Sequence, residues 1–281
     1  MTIISHPSDL RLQAAAATGP RVLVPTMGAL HAGHLVLIRR ARELAGPDGT
    51  VMVSIFVNPI QFDRVADLAA YPQPLEADLA ACREAGVDLV FTPAPGTMYH
   101  PDRSVTVTES SLSQSLCGAS RPGHFDGVCT VVLKLFLLSG CGLAVFGEKD
   151  FQQLAIIRRM VRDLDLPVTI VAHPTLREPD GLALSSRNVR LTPAQRAAAP
   201  QLRQSLLAAK TRLATGIREV SELLETARME IESSPLARID YLSLVDAETL
   251  QPVTRIERPA VLAAAVFYGE VRLIDHVGIA P

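Results

Sequence analysis

The chain has 281 residues, of which 48% are hydrophobic, 20% charged and only 4% aromatic, with no tryptophan. This length predicts one large domain and one smaller one, and the aliphatic composition favours a soluble α/β protein. The formal net charge of −2 gives no electrostatic reason to expect nucleic acid or a membrane surface as a partner.

The cysteines and the apolar stretches indicate a cytoplasmic protein. The N-terminus lacks the basic start and apolar core of a secretion signal. The most apolar stretch, residues 128–146, contains Lys134 and a Ser-Gly-Cys-Gly break, so it predicts a buried helix followed by a strand and not a membrane span. Four widely spaced cysteines without a Cys-x-x-Cys pair indicate buried, reduced thiols; they are Cys82, Cys117, Cys129 and Cys141.

Short apolar runs rich in β-branched residues alternate with helical patterns in the first part of the chain. The predicted strands are Val22–Pro25, Val51–Val57, Val87–Phe91, Leu143–Phe146 and Val168–Ala172. The predicted helices are His34–Leu44, Leu75–Ala85, Gly127–Leu138 and Phe151–Leu164. This alternation predicts a Rossmann-like parallel sheet with helices on both faces. Such sheets bind ligands beyond the carboxyl ends of their strands.

The pattern changes after Pro174. The polar loop Arg177–Asn188 is followed by predicted helices and then by short predicted strands; these are Pro193–Leu213 and Arg218–Glu232, then Arg238–Val245, Val261–Phe267 and Glu270–Asp275. We therefore predict a first domain over residues 1–175 and a smaller α+β domain over residues 176–281, with the polar loop at the boundary.

The run His31-Ala-Gly-His34 follows the first predicted strand and begins a helix. The free backbone N–H groups and the positive dipole end of such a helix attract phosphate. Two imidazoles three residues apart lie on one side of the first turn, and their hydrogen bonds to phosphate strengthen as charge moves onto a leaving pyrophosphate. The alternatives are two surface histidines or a zinc site, but His-x-x-His alone does not supply the further ligands that zinc requires.

Two other polar segments suit a nucleotide. In Gly147–Asp150, Lys149 is a point charge suited to phosphates and Asp150 starts a helix. The alternative is that this run is an ordinary polar turn, which has the same composition. The segment Leu184–Arg187 offers two hydroxyls and a guanidinium, which suit a triphosphate; its alternative is a hydrated loop.

Three amides and one loop are candidates for contact with a second substrate. Asn58 and Gln61 follow the second predicted strand, and Gln153 lies one turn into the helix after Asp150. Capping of backbone groups is the more common role of an isolated Asn or Gln. The run Arg121–Phe125 is either a substrate loop or a turn that leads into a helix.

Seven ordered blocks resemble the pantothenate synthetases, the AMP-forming pantoate–β-alanine ligases of the nucleotidyltransferase superfamily that carries a His-x-Gly-His motif. The blocks are PTMGALHAGH, SIFVNPIQF, YPQPLEADL, RPGHFDGVCTVVLKLF, FGEKDFQQL, DGLALSSRN and RLIDH. The resemblance implies a ligase of pantothenate and coenzyme A biosynthesis that works in two steps. Pantoate attacks the α-phosphate of Mg·ATP to give pantoyl adenylate and pyrophosphate, and β-alanine then displaces AMP.

The same resemblance implies roles for individual residues, with His34, His31, Lys149 and Arg187 as the catalytic set. The implied ATP contacts are Met27, Gly28, Ala29, Leu30, His31, Ala32, Gly33, His34, Gly147, Glu148, Lys149, Asp150, Leu176, Leu184, Ser185, Ser186 and Arg187. The implied contacts for pantoate and β-alanine are Pro25, Met27, Asn58, Gln61, Phe62, Arg121 and Gln153. Asp78 is the candidate ligand for magnesium.

The resemblance further implies a cytoplasmic homodimer whose C-terminal domain acts as a lid. Its substrates would be ATP with Mg²⁺, (R)-pantoate and β-alanine, with no nucleic acid or membrane partner. The chain departs from the usual family pattern at Asp63–Asp67, where many relatives have a Gly-containing acidic loop, and at Val266–His276. The open alternatives are another His-x-Gly-His nucleotidyltransferase acting on a small metabolite, an aminoacyl-tRNA synthetase, and a nucleotide-binding regulator without catalysis.

Overall fold

A computed structural model describes residues 1–214 and 219–280. The chain divides into two compact units. The first comprises Met1–Glu109, Arg121–Glu148 and Ile156–Pro174, and the second comprises Ser110–Ser120, Lys149–Ala155 and Thr175–Pro281. The second unit therefore includes two short segments that precede Thr175 in the chain. The predicted helix start at Arg218 lies outside the described residues.

A six-stranded parallel sheet forms the first unit, which confirms the predicted Rossmann-like architecture. In chain order its strands are β1 (Thr2–Ile4), β2 (Arg21–Thr26), β3 (Thr50–Ile55), β4 (Leu89–Phe91), β5 (Leu143–Gly147) and β6 (Thr169–His173). They are arranged β1-β4-β3-β2-β5-β6, and each neighbouring pair is parallel. The sequence prediction missed β1, a strand of three residues at the sheet edge, which is too short to show a hydrophobic period.

Helices cover both faces of this sheet. In chain order the helices up to residue 163 are α1 (Pro7–Ala16), α2 (Ala32–Ala45), α3 (Val65–Ala69), α4 (Leu75–Glu84), α5 (Pro95–Met98), α6 (Leu116–Ser120), α7 (His124–Ser139) and α8 (Phe151–Asp163). Val22 and Val24 of β2 pack with Ile38 of α2 in one buried cluster. The buried Leu23 between them points to the opposite face, and α7 also contacts β2.

The order of the sheet reverses beside β2. Strands β3 and β4 lie on one side of β2, whereas β5 and β6 lie on the other. A crevice forms at such a switch point, outside the carboxyl ends of the two diverging strands. Here those ends are Thr26 and Gly147, and each leads directly into a motif predicted to bind phosphate.

Among the described residues after Pro174, three antiparallel strands and three helices form the C-terminal part of the second unit, which confirms its predicted α+β character. The helices are α9 (Pro193–Ala198), α10 (Gln201–Ala214) and α11 (Val220–Glu232), and the strands are β7 (Ala237–Asp246), β8 (Ala260–Tyr268) and β9 (Val271–Ile279) in the order β7-β8-β9. The prediction of one helix over Pro193–Leu213 is wrong, because Pro200 has no N–H to continue the ladder. The last strand extends beyond the predicted end at Asp275.

The four cysteines are all described, and each is buried and free of any disulfide, as predicted. Burial raises the pKa of Cys82 to about 11, that of Cys129 to about 12 and that of Cys141 to about 11. These three thiols therefore stay protonated near neutral pH and contribute to packing. Among the helices within the described ranges, none has the length and hydrophobicity needed to cross a membrane.

Candidate active site

The turn between β2 and α2 has an unusual backbone. Gly28 and Ala29 are consecutive residues with positive φ, at 80° and 50°. Glycine adopts this left-handed conformation freely, but an alanine there is strained and needs support from its surroundings. The turn leads to His31, the N-cap residue of α2.

Asp78 of α4 supplies that support. Its carboxylate is 2% exposed and accepts hydrogen bonds from the backbone N–H groups of Ala29 (2.8 Å) and Leu30 (2.7 Å). These two N–H groups are therefore directed at Asp78. No group of three or more His, Cys, Asp or Glu side chains within the described residues is arranged to hold a metal ion. The structure gives Asp78 a positioning role, and its binding of magnesium stays a prediction.

We expect Asp78→Asn to disturb this turn, because an amide presents only one acceptor oxygen and turns its own N–H groups toward the second backbone donor. One buried, unsatisfied donor costs about 1–3 kcal/mol of unfolding free energy. The measurement is chemical denaturation, with Glu76→Gln, an exposed position on the same helix, as the matched control. Equal stability of the two variants would contradict a supporting role for Asp78.

The rings of His31 and His34 lie together at the start of α2, with their centroids 4.1 Å apart. Nδ1 of His31 accepts the N–H of Gly33 (3.1 Å), and Nδ1 of His34 accepts the N–H of His31 (3.3 Å). A neutral imidazole that accepts at Nδ1 carries its proton on Nε2. Both rings are thereby set as Nε2–H donors at a helix N-terminus, which is the arrangement that favours binding of an anion.

A second group of predicted site residues lies beside this turn in the first unit. Asn58 and Gln61 are buried, with 1% and 7% of their surfaces exposed. Nε2 of Gln61 lies 3.0 Å from Sδ of Met27, so the short 3-10 turn Pro59–Gln61 and the end of β2 meet at these two side chains. Phe62 packs edge-on against Tyr71, with ring centroids 5.8 Å apart.

Arg121 and His124 hold the backbone of Gln61. Nδ1 of His124 donates to the Gln61 carbonyl (2.7 Å), and NH2 of Arg121 donates to the same oxygen (3.3 Å). Nε of Arg121 also donates to Asp63 (2.9 Å), and NH1 of Arg121 lies 3.1 Å from Nε2 of His124. The guanidinium that was predicted to bind substrate is thus committed to at least three groups of the protein.

The ion pair between Arg121 and Asp63 predicts a stability change in acid. Burial raises the pKa of Asp63, but the hydrogen bond and charge of Arg121 outweigh it, so the pKa lies below 3.8. The contribution is therefore present above the unfolded pKa and is lost as the pH falls through the folded pKa. We expect the destabilisation by Asp63→Asn to shrink between about pH 5 and pH 3 in denaturant titrations. The same change at the exposed Asp48 is the control, and a difference independent of pH would contradict the pairing.

Predicted phosphate-binding residues of the second unit gather near β9. Lys149 and Ser185 line one small recess together with Asp275. The Ser185 hydroxyl accepts the N–H of Arg187 (3.2 Å) and caps the 3-10 turn Ser186–Arg190. Gln153 is half-buried on the same unit, and Leu176 is 36% exposed.

Sequence reasoning missed an ion pair that holds the polar loop. Arg177 donates to both carboxylate oxygens of Asp275 (2.6 and 2.9 Å), and that carboxylate is almost fully buried. Arg177 also forms an isolated bridge with Ala183 and donates to the carbonyl of Gly181. The base of the loop that carries Ser185 is therefore fixed to β9, and the 98-residue separation of the partners leaves no local signal.

The predicted site residues are divided between the two units. The first unit holds Pro25, Met27, Gly28, Ala29, Leu30, His31, Ala32, Gly33, His34, Asn58, Gln61, Phe62, Asp78, Arg121, Gly147 and Glu148. The second unit holds Lys149, Asp150, Gln153, Leu176, Leu184, Ser185, Ser186 and Arg187. Within the first unit, hydrogen bonds join His31 with His34, Met27 with Gln61, and Gln61 with Asn58 and Arg121.

Comparison with known proteins gives a consistent result. Residues 2–278 match the family described as pantoate-beta-alanine ligase. A pantothenate synthetase of Akkermansia muciniphila is 58% identical over 256 residues, which covers 91% of each chain.

Solved structures agree with this match. The crystal structure of pantothenate synthetase from Thermus thermophilus superposes with a TM-score of 0.93 at 46% identity and covers 100% of both chains. That of pantoate-beta-alanine ligase from Francisella tularensis, complexed with beta-gamma ATP and beta-alanine, has a TM-score of 0.82 at 31% identity, covering 99% of this chain and 97% of its own.

Proposed function

Because the chain belongs to the pantoate–β-alanine ligase family, we propose that it condenses (R)-pantoate with β-alanine at the expense of ATP, through a pantoyl adenylate. A carboxylate oxygen of pantoate attacks the α-phosphorus, and the bond to the pyrophosphate oxygen breaks. The amine of β-alanine then attacks the acyl carbon, loses a proton, and expels AMP as the amide forms. This reaction makes pantothenate, the precursor of coenzyme A.

The observation that carries the proposal is the fixed orientation of His31 and His34. Their Nδ1 atoms are occupied by backbone N–H groups, so their Nε2–H groups are the donors that a phosphate would meet. Donors that are oriented before the reaction stabilise developing charge without reorganisation. We assign to His34 and His31 the role of stabilising the negative charge that develops on pyrophosphate as it leaves.

Gln61 is the proposed donor to pantoate, and Met27 is its apolar neighbour. The buried amide of Gln61 reaches the sulfur of Met27 at 3.0 Å, so a polar and an apolar group stand side by side. This pairing suits a small branched hydroxy acid with geminal methyl groups. Pro25 and Phe62 are proposed as further apolar contacts, and Gln153 as a second amide that binds pantoate.

Lys149, Ser185, Ser186 and Arg187 are proposed to bind the phosphates of ATP. A lysine and a guanidinium neutralise phosphate charge, and the hydroxyls donate to its oxygens. The ion pair between Arg177 and Asp275 would keep the loop that carries three of these residues in place. Gly147, Glu148 and Asp150, with the backbones of Leu176 and Leu184, complete the proposed nucleotide contacts.

Magnesium is proposed to arrive with ATP, as the Mg·ATP substrate. We also propose that the protein is a cytoplasmic homodimer. Each chain would have a first domain that ends at residue 175 and a second domain that acts as a lid. These proposals rest on the character of the family, and the four free, buried cysteines agree with a reducing compartment. Small molecules are the proposed partners, in keeping with a net charge of −2.

The proposal is tested by incubating the protein with Mg·ATP and labelled pyrophosphate. We expect exchange of label into ATP only when pantoate is present, and amide and AMP only when β-alanine is added as well. A nucleotidyltransferase acting on a different metabolite would show no exchange that depends on pantoate. That result would rule out the ligase assignment.

A further inference from the structure

A buried chain of hydrogen bonds connects Tyr99 to Gln61 through Asn58. The Tyr99 hydroxyl donates to Oδ1 of Asn58 (2.9 Å), and Nδ2 of Asn58 donates to Oε1 of Gln61 (2.9 Å). All three side chains are less than 9% exposed. The three residues lie in the first unit, at the carboxyl-end region of the sheet.

The backbone carbonyl of Gly127 fixes the direction of this chain. Nδ2 of Asn58 also donates to that carbonyl (3.0 Å), which has no proton and can only accept. The nitrogen of Asn58 must therefore face Gly127 and Gln61, and its oxygen must face Tyr99. Gln61 in turn offers Oε1 to Asn58 and is left with Nε2 pointing toward Met27.

Tyr99 is the donor in this chain, because the oxygen of Asn58 faces its hydroxyl. Its ring lies beneath the charges of Arg103 and Lys134, 5.4 and 5.5 Å from the ring centroid, and beside the ring of Phe56. Burial raises the pKa of Tyr99 far above its usual range, although the charge of Arg103 opposes this shift. The hydroxyl therefore keeps its proton near neutral pH.

We propose that Tyr99 is a positioning residue which, together with the Gly127 carbonyl and through Asn58, holds the side-chain amide of Gln61 with its N–H groups toward the acidic substrate. An amide has nearly the same shape after a half-turn about its last bond, so packing alone does not select between the two orientations. The turned form would present an oxygen to the oxygens of pantoate and repel them. The inference rests on the proposed function, because it assumes that Gln61 binds pantoate.

The test begins with Tyr99→Phe, which removes the donor and keeps the ring. Without it, Oδ1 of Asn58 is buried without a partner, and the Gly127 carbonyl is left to hold Asn58, so turned or displaced amides become more populated. We expect the KM for pantoate to rise about five- to tenfold, in proportion to the fraction of Gln61 that is correctly oriented. The kcat should change by less than about threefold, because the interaction binds ground state and transition state alike.

Tyr268→Phe is the matched control. Tyr268 is a fully buried tyrosine of β8 in the second unit, outside this chain of hydrogen bonds. We expect this variant to keep the KM for pantoate of the parent protein. An unchanged KM in a folded Tyr99→Phe variant would overturn the inference.

A double-mutant cycle distinguishes positioning from a general structural effect. In a Gln61→Ala background Tyr99→Phe should alter the KM for pantoate by less than about twofold, because the residue through which Tyr99 acts is gone. An equal effect in both backgrounds would overturn the inference. If the parent protein shows no activity with pantoate, it is the proposed function that fails and not this chain of hydrogen bonds.

One measurement needs no substitution, so it applies even if Tyr99→Phe does not fold. In protein labelled with ¹⁵N in glutamine side chains, we expect a nuclear Overhauser effect between the Nε2 protons of Gln61 and the methyl group of Met27. This follows from the 3.0 Å distance between Nε2 and Sδ. A Gln61 amide signal without that effect would overturn the orientation on which the inference depends.

Discussion

Replacing His34 by alanine is expected to slow pantoate-dependent pyrophosphate exchange by about 10²-fold or more. The variant loses an Nε2–H donor that the backbone N–H of His31 holds in place through Nδ1. Loss of one oriented donor at a site where charge develops typically costs about two to three orders of magnitude in rate. The measurement is the exchange rate at saturating Mg·ATP and pantoate.

Two further variants distinguish the role of His34 as a hydrogen-bond donor to substrate from its role in capping the N-terminus of α2. The oxygen of Asn lies near the position of Nδ1 and can accept the N–H of His31, so His34→Asn keeps the cap and loses the donor. The longer Gln reaches the position of Nε2, so His34→Gln should recover part of the rate. His100→Ala, at an exposed position in the same unit, is the control and should leave exchange unchanged. Activity of the Asn variant equal to that of the parent protein would show that the donor role is wrong.

Gly127→Ala is expected to damage both stability and activity, although alanine is normally the better helix former. A Cβ at this position would lie 2.4 Å from the carbonyl oxygen of Ile60 and 2.7 Å from Cα of Gln61, where 3.4 Å is ordinary contact. The backbone that carries Gln61 must therefore move by about 1 Å. A shift of that size costs about 10²-fold in rate, and overpacking of this kind costs about 1–3 kcal/mol of unfolding free energy.

Gly96→Ala provides the matched control for this prediction. Gly96 also lies in a helix, α5, and a Cβ there would meet no atom within 4 Å. We expect this variant to keep both its stability and its kcat/KM. The two variants are compared by thermal unfolding and steady-state kinetics. Equal stability and equal kcat/KM for Gly127→Ala and Gly96→Ala would refute the close approach of Gly127 to the backbone of Ile60 and Gln61.

The main strands could be predicted because they are buried on both faces. Such strands read as continuous β-branched runs, and the runs at β2, β3 and β5 are of this kind, with central residues that are almost completely buried. The edge strand β1 was missed because it has only three residues, two of them exposed, and so forms no such run. The break between α9 and α10 was missed, although Pro200 was a signal that could have shown it.

The location of the histidines could be predicted, but the groups that position the site could not. A strand followed by His31-Ala-Gly-His34 is a local pattern with a physical meaning. Asp78 reaches the backbone of Leu30 across 48 residues, and Tyr99 reaches Asn58 across 41. Such contacts depend on how helices and loops pack on the sheet, which no local spacing encodes.

Gly127 shows the same limit in another form. From the sequence it is the first residue of the predicted helix Gly127–Leu138, where a glycine attracts no notice. Only the packing of α7 against the Pro59–Gln61 turn shows that a side chain has no room there. In the same way, Arg177 lies in the predicted polar loop and Asp275 in the RLIDH block, but only the folded structure shows that they form an ion pair.

The transfer of ¹⁸O from pantoate tests the central claim most directly. If the carboxylate of pantoate attacks the α-phosphorus of ATP, one of its oxygens becomes the bridge of the adenylate and leaves with AMP when β-alanine attacks. We therefore predict that pantoate labelled with ¹⁸O in its carboxylate delivers one labelled oxygen to AMP and none to pyrophosphate, as read by mass spectrometry. Label in inorganic phosphate or pyrophosphate, with none in AMP, would contradict adenylation.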